Sequence, residues 1–420
     1  MNQIRFSVAD GAGWLTESEI KQAMAKNSDL LAVVKQGEEQ YRDSLGWLDP
    51  DQWASDAWLT EYEALARRVQ EIADVLVVIG IGGSNQAARA VAEAIGEKSG
   101  VEIVWAGNNI SAHSVQQVLA SLEGKRVCIN VIAKNFETLE PGLSFRILRK
   151  YLKDTYGEEY AQRVICTGTR GAHLEEIAKQ YGFAFLPFPE NIGGRFTALS
   201  PIALFPLAVA GMDIRAMVLG AKEMREQLLA ENSDDSVALR YAVIRNLLFE
   251  KGFRMEMLSF FEPRWFRFAK WWMQLFGESE GKDNKGLYPV FGNFSEDLHS
   301  IGQFLQDGTP VIFETFLEVA DSGASYIVEP DGIDDRFHYL DGMDVDQINR
   351  AACEATIQAH STKYPCVRLT VPAINEETFG KLFYFFAFVC YLSAKILGVN
   401  PFDQPGVEAY KVNMFRTLGK

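Results

Sequence analysis

The stretch VVIGIGGSN runs an apolar segment into Gly80, Gly82, Gly83 and Ser84 just where a helix begins. Residues of that kind can hold an anion, because glycines let backbone amides approach a phosphate and the helix dipole favours its charge. The spacing is not the dinucleotide fingerprint: position 85 is Asn where GxGxxG, counted from Gly80, requires Gly, and the Gly-Lys-Ser/Thr ending of a nucleotide P-loop is missing. On its own the turn is open to two readings, an anion cradle or a tight turn. Gly193-Gly194-Arg195 is harder to explain by packing. Paired glycines cost conformational entropy unless a backbone must come close to something.

Other reactive side chains have plainer readings when taken singly. Glu278, Glu280 and Lys282 follow the aromatic stretch 263–276 and read as a solvated charge cluster. His299 sits in a helical pattern with Leu298, Ile301 and Phe304, and Lys411 reads as an exposed lysine on the last helix. The five histidines (His113, His173, His299, His338, His360) form no HxxxH or HxH pair, so no histidine metal site is expected. The five cysteines (Cys128, Cys166, Cys353, Cys366, Cys390) form no CxxC and sit in apolar runs, as reduced core thiols of a cytosolic protein do.

Residues so scattered need a scaffold to gather them. Thr16 followed by Glu19 makes a capping box ahead of a periodic stretch with Ile20, Met24, Leu31 and Val34, so residues 1–70 read as helical. Asp49-Pro50 interrupts them, and a second helix runs through Tyr62, Leu65 and Val69. Short Val/Ile-rich runs then alternate with helical segments: 75–80, 101–107, 127–133, 164–168 and 183–188, and in a second cycle 255–261, 287–291, 311–319 and 367–371. That alternation predicts crossover units and parallel sheets covered on both faces. Ligands of such sheets sit outside the carboxyl ends of the strands, and here those ends are repeatedly small and polar: Gly82-Gly83-Ser84-Asn85, Gly107-Asn108-Asn109, Ala133-Lys134-Asn135 and Gly168-Thr169-Arg170-Gly171.

Two longer stretches carry a likeness to a known family. ENIGGRFTALSP (190–201) and LGVNPFDQPGVEAYK (397–411), the latter with Gln404, Gly406, Glu408 and Lys411, resemble the two signature segments of the phosphoglucose isomerases. GESEGK (277–282) and DLHSIGQ (297–303) resemble the family's remaining active-site segments, in the right order. The resemblance runs from about Ala73 to Lys411. It implies an α/β fold of two doubly wound parallel-sheet domains of sugar-isomerase type with helical N- and C-terminal segments. The expected divisions are an N-terminal helical segment at 1–70, the two domains at 71–190 and 191–400, and at 401–420 a C-terminal helix returning to the active site.

Carried over residue by residue, the resemblance makes Glu278 the base that moves a proton between carbon 1 and carbon 2 of a sugar phosphate. His299 would assist ring opening from the other subunit of a homodimer, and Lys411 would share in ring opening and charge compensation. Arg195 would face the enediolate oxygens and Gln404 would hold the substrate, with Gly82, Gly83, Ser84, Lys134 and Thr138 as further substrate contacts. The chemistry asks for these types. One carboxylate must reach both carbons, and such general-base help is worth roughly 10²–10⁴-fold. A cation that never loses its proton must face the enediolate, and histidine suits ring opening near neutrality. No metal or redox cofactor is required. The implied activity is interconversion of glucose 6-phosphate and fructose 6-phosphate in glycolysis and gluconeogenesis.

The likeness has a local departure. The family's phosphate loop is a lysine among serines and threonines, and here it reads Ala133-Lys134-Asn135-Phe136-Glu137-Thr138. A carboxylate about 4 Å from a phosphate oxygen would cost on the order of 1–4 kcal/mol, so Glu137 is expected either to point away or to weaken phosphate binding. This keeps open an isomerase of altered specificity, accepting mannose 6-phosphate as well, and a weakly active sugar-phosphate-binding paralogue. An unrelated dinucleotide oxidoreductase has only the GIGGS turn and Glu102 on the next strand in its favour.

Composition narrows the remaining classes. A chain of 420 residues with 48% hydrophobic and 23% charged residues is an ordinary globular protein too long for one core. Its net charge of −15 opposes binding to nucleic acid or anionic lipid and requires a locally positive pocket for an anionic substrate. PRWFRFAKWWMQLF (263–276) mixes cations with aromatics, but Trp265, Phe268, Trp272 and Leu275 recur at helical spacing, so it predicts a core-facing helix. The start shows no secretory signal, and the apolar run from Leu382 to Leu392 between Lys381 and Lys395 is too short to span a bilayer. A cytoplasmic location is expected.

Overall fold

The computed structural model describes residues 4–134 and 136–419. Asn135, one of the loop departures noted above, lies outside the described residues. The first element among the described residues is a strand, which corrects the helical reading of residues 1–70. In β1 (Arg5–Ala9) Phe6 and Val8 turn inward while Arg5 and Ser7 stay exposed, the alternation of a half-buried strand. The capping box forms as expected: Thr16 accepts from the Glu19 amide, and the Glu19 carboxylate accepts from the Thr16 amide at 3.0 Å. It starts the helix Glu17–Lys26, which buries Ile20 and Met24. The second expected helix spans Asp56–Ile72 and buries Tyr62 and Val69.

The first sheet contains β2 (Val75–Ile79), β3 (Glu102–Ala106), β4 (Val127–Ala133), β5 (Val164–Gly168) and β6 (Ala184–Pro187), in the order β3-β2-β4-β5-β6 with every pair parallel. All of β2, β4 and β5 is buried, as continuous apolar strands under helices on both faces must be. Strand order reverses beside β2, so a crevice opens between the carboxyl ends of β2 and β4. The Gly82-Gly83-Ser84 turn and the loop bearing Lys134 leave from those two ends.

The second sheet contains β7 (Met255–Phe260), β8 (Tyr288–Asn293), β9 (Ile312–Asp321) and β10 (Cys366–Ala373), in the order β1-β10-β9-β7-β8. Here β1 pairs antiparallel with β10, Phe6 opposite Leu369 and Val8 opposite Val367, while the other pairs are parallel. The tryptophan-rich helix follows β7 and spans Phe266–Glu280, with Phe268, Ala269, Trp271, Trp272, Leu275 and Phe276 buried. It therefore runs past the expected end at residue 276 and includes Glu278 in its last turn. Another apolar helix, Glu376–Leu397, is long and apolar enough to cross a membrane by composition, with 83% of its most apolar stretch buried inside the fold. All five cysteines are unpaired and buried.

Candidate active site

The glycine turns bring distant segments together by backbone contact. A Cβ on Gly83 would stand 1.8 Å from the carbonyl oxygen of Gly194 and 2.9 Å from the amide nitrogen of Arg195, so only glycine lets the 82–84 turn nest against the Gly193-Gly194-Arg195 turn. The Thr197 hydroxyl ties the two, 2.7 Å from the Gly194 carbonyl and 3.3 Å from that of Gly83. Gly82 has φ +56° and lies against the Gln274 amide on the tryptophan-rich helix. These contacts seat the helix end that carries Glu278 against the crevice of the first sheet.

At that junction Arg195 is 2% exposed, and all five of its N–H groups have partners. Nε donates to the Ser279 hydroxyl at 2.8 Å, Nη1 to Gln404 Oε1 at 2.9 Å and Glu278 Oε2 at 3.2 Å, and Nη2 to the carbonyls of Pro401 at 2.7 Å and Asp403 at 3.2 Å. Burial lowers the guanidinium pKa from its ordinary value, and the Glu278 carboxylate works against that shift. Gln274, one turn before Glu278, donates to its other oxygen at 3.1 Å. The carboxylate is thus held from both sides, with its side chain 37% exposed toward the crevice. Gln274 and Ser279 were not singled out from sequence. Gln274 was visible only as the residue four before Glu278 on a helix read as ending earlier.

The solvated-cluster reading of Glu280 and Lys282 does not hold. Glu280 is 1% exposed and ion-paired at 2.6 Å to Arg245 on the helix Val237–Glu250. Arg245 also pairs with buried Glu256 of β7, whose carboxylate receives the Tyr241 hydroxyl, and it lies 3.9 Å from the centroid of the Phe276 ring. Lys282 is buried on the opposite side, facing residues 400–403. Two buried cations therefore fix the last turn of the helix, leaving Glu278 as the carboxylate turned toward the crevice.

Gln404 joins this group through Arg195. Lys411, on the helix Glu408–Thr417, donates to Glu408 at 2.8 Å. Its ammonium pKa is raised chiefly by that bond, with a smaller push from the Glu278 charge. Lys134 reaches the Ile192 carbonyl at 3.4 Å, so the loop after β4 touches the segment that continues into Arg195. Burial lowers the Lys134 pKa, with Glu190 opposing. Thr138 caps the helix Leu139–Tyr156 without a side-chain bond to it, and both Thr138 and Glu137 are exposed at the rim.

His299 is not part of this cluster within one chain. It is exposed on the turn Glu296–His299 after β8, at the carboxyl edge of the second sheet. Glu278 ends a crossover helix that returns to the amino edge, one strand length away, on the order of 20 Å. The dinucleotide alternative also loses its support: Glu102 opens β3 at the amino end, paired with Lys125 at 2.6 Å, on the wrong edge to meet a ribose. A separate groove of about 580 Å³, lined by Phe260, Phe316, Cys353 and Arg368 among others, shares none of the clustered residues, and its Arg368 and Arg350 are paired with carboxylates.

Comparison with known proteins agrees with this geometry. The family model described as phosphoglucose isomerase matches residues 61–417. The chain is 41% identical to a glucose-6-phosphate isomerase of Staphylococcus saprophyticus and 39% identical to one of Staphylococcus aureus, each match covering all of this chain and 97% of the relative. Among solved structures, a hypothetical protein of Thermus thermophilus superposes over the full length of both chains with a TM-score of 0.89 at 25% identity. A glucose-6-phosphate isomerase of Chlamydia trachomatis shares the fold, with a TM-score of 0.82 at 18% identity over 99% of this chain and 88% of its own. With Glu278 held 3.2 Å from Arg195 between two doubly wound sheets, and with matches that span nearly its whole length, the chain belongs to the phosphoglucose isomerase family.

Proposed function

We infer that this chain interconverts glucose 6-phosphate and fructose 6-phosphate, with Glu278 carrying the proton between carbon 1 and carbon 2. The observation that supports the roles best is the Glu278–Arg195 pair, since two segments far apart in sequence place a base beside a fixed cation. Glu278 takes the proton from one carbon, the C–H electrons move onto the neighbouring carbonyl oxygen to give an enediolate, the hydroxyl proton passes between the two oxygens, and the same carboxyl returns its proton to the neighbouring carbon as the new carbonyl forms. Gln274 and Arg195 hold both carboxylate oxygens and so fix its plane. Because every Arg195 donor already has a partner, its contribution is a rigid positive charge, and an enediolate oxygen gains a bond to Nη1 only by competing with Gln404 and Glu278.

The phosphate lies between the Gly82-Gly83-Ser84 turn and Lys134 and Thr138, with Lys411 and Gln404 at the sugar. Ring opening falls to His299 of the partner subunit, which makes the active form a homodimer, working in the cytoplasm. With Ala133 and Glu137 in the loop, phosphate binding is weaker than in relatives with hydroxyl residues there. A coupled assay with glucose 6-phosphate, fructose 6-phosphate and mannose 6-phosphate tests this. Turnover of the first two at high substrate supports the reading, whereas binding without turnover leaves a sugar-phosphate-binding protein. If the Michaelis constant is ordinary and Glu137→Thr leaves it unchanged, the weakened-loop idea fails.

A further inference from the structure

We propose that Lys282 is a positioning residue that locks the 400–404 stretch, and with it Gln404, against the helix end carrying Glu278. The ammonium has three N–H groups and three acceptors around it: the Ser279 carbonyl at 3.1 Å, the Asn400 carbonyl, and the Asp403 carboxylate at 3.0 Å. Its side chain is only 8% exposed. The first acceptor belongs to the last turn of the tryptophan-rich helix and the other two to the loop after the helix Glu376–Leu397. One point charge therefore ties the two segments that bear Glu278 and Gln404.

The loop depends on such contacts because residues 400–404 belong to no helix or strand. Carbonyls outside a ladder need other donors when buried. Arg195 supplies them to Pro401 and Asp403 from one side, and Lys282 supplies one to Asn400 from the other. Phe402 anchors the apolar side, 9% exposed, with its ring 5.3 Å from those of both Tyr41 and Phe196. A neutral chain at 282 would leave the Ser279 and Asn400 carbonyls without this donor and hand the half-exposed Asp403 carboxylate to water, and the loop would settle elsewhere. Burial lowers the lysine pKa, the bond to Asp403 opposes that shift, and the neighbouring Arg195 charge adds to it.

The proposal rests on the isomerase reading of the site. Lys282→Met and Lys282→Arg are compared with the wild type in fructose 6-phosphate turnover, alone and with Gln404→Ala, and by amide hydrogen exchange of peptides spanning 398–407. Lys282→Met lowers kcat/KM at least 30-fold, falling mainly on kcat, and speeds exchange in those peptides. Lys282→Arg recovers part of the loss, and in the Gln404→Ala background the same change costs less than threefold, the coupling expected of residues acting through one another. Activity within threefold of wild type overturns the proposal, and so does an equal loss in both backgrounds, which marks a role in folding alone. If Lys282→Met does not fold, Asp403→Asn decides: it loses several-fold activity and speeds the same exchange, or the proposal fails. A wild type with no turnover defeats the isomerase reading, and the exchange data still decide whether Lys282 holds the loop.

Discussion

Gly83→Ala tests whether the glycine turn exists to seat Arg195. The added carbon would stand 1.8 Å from the Gly194 carbonyl oxygen and 2.3 Å from its carbon, both backbone atoms that cannot rotate away. Restoring ordinary contact requires about 1.5 Å of separation between the two turns, and a misplacement of about 1 Å is enough to cost on the order of 10²-fold in rate. Overpacking of this kind also destabilises by roughly 1–3 kcal/mol. The assay is fructose 6-phosphate turnover with kcat and KM resolved, beside urea denaturation. The expected result is a fall in kcat of about 100-fold with a folded protein. Gly142→Ala, where a Cβ meets nothing within 4 Å, serves as the control with unchanged activity. A Gly83→Ala enzyme within threefold of wild type would refute the seating argument, and a change confined to KM would mean that the glycine serves only the phosphate.

Three further outcomes follow from the same contacts. Arg245→Met leaves Glu256 and Glu280 buried without their shared cation, and urea denaturation should show a loss of about 3–5 kcal/mol. Lys134 titrates below an ordinary lysine, so KM for sugar phosphate should begin to rise on the alkaline side earlier than a solvated lysine would allow, and Lys134→Arg should delay that rise. The Glu19 carboxyl is held at about 2, below its ordinary 4.5, by the bonds from Lys251 and Thr16. A carboxyl lowered in the folded state stabilises above its unfolded pKa and loses that contribution as pH falls toward the folded one. Thermal melts should therefore show Glu19→Gln flattening the decline in stability between pH 4.5 and 2.

The parallel sheets were legible because each strand is an apolar run bounded by small polar residues. Val127–Ala133 and Val164–Gly168 fall where the pattern puts them. β1 was not read, because five residues on a sheet edge carry too short an alternation to stand out before a strong helix signal. The tryptophan-rich helix was expected over 263–276, yet it continues through Gly277 to Glu280 because Ser279 and Glu280 are drawn in by Arg195 and Arg245. That tertiary pull is invisible in a single sequence, and it hid Gln274 and the burial of Lys282 with it. Gly83 was legible as unusual, but its reason, contact with Gly194 across more than a hundred residues, required the fold.

The most direct test of the account is proton transfer by Glu278. Fructose 6-phosphate turnover and release of the carbon 1 hydrogen label to solvent are measured for the wild type and for Glu278→Gln, which keeps the shape but accepts no proton. The account predicts that both readouts fall together by roughly 10²–10⁴-fold, with substrate binding retained. A glutamine variant that isomerises at the wild-type rate would contradict it.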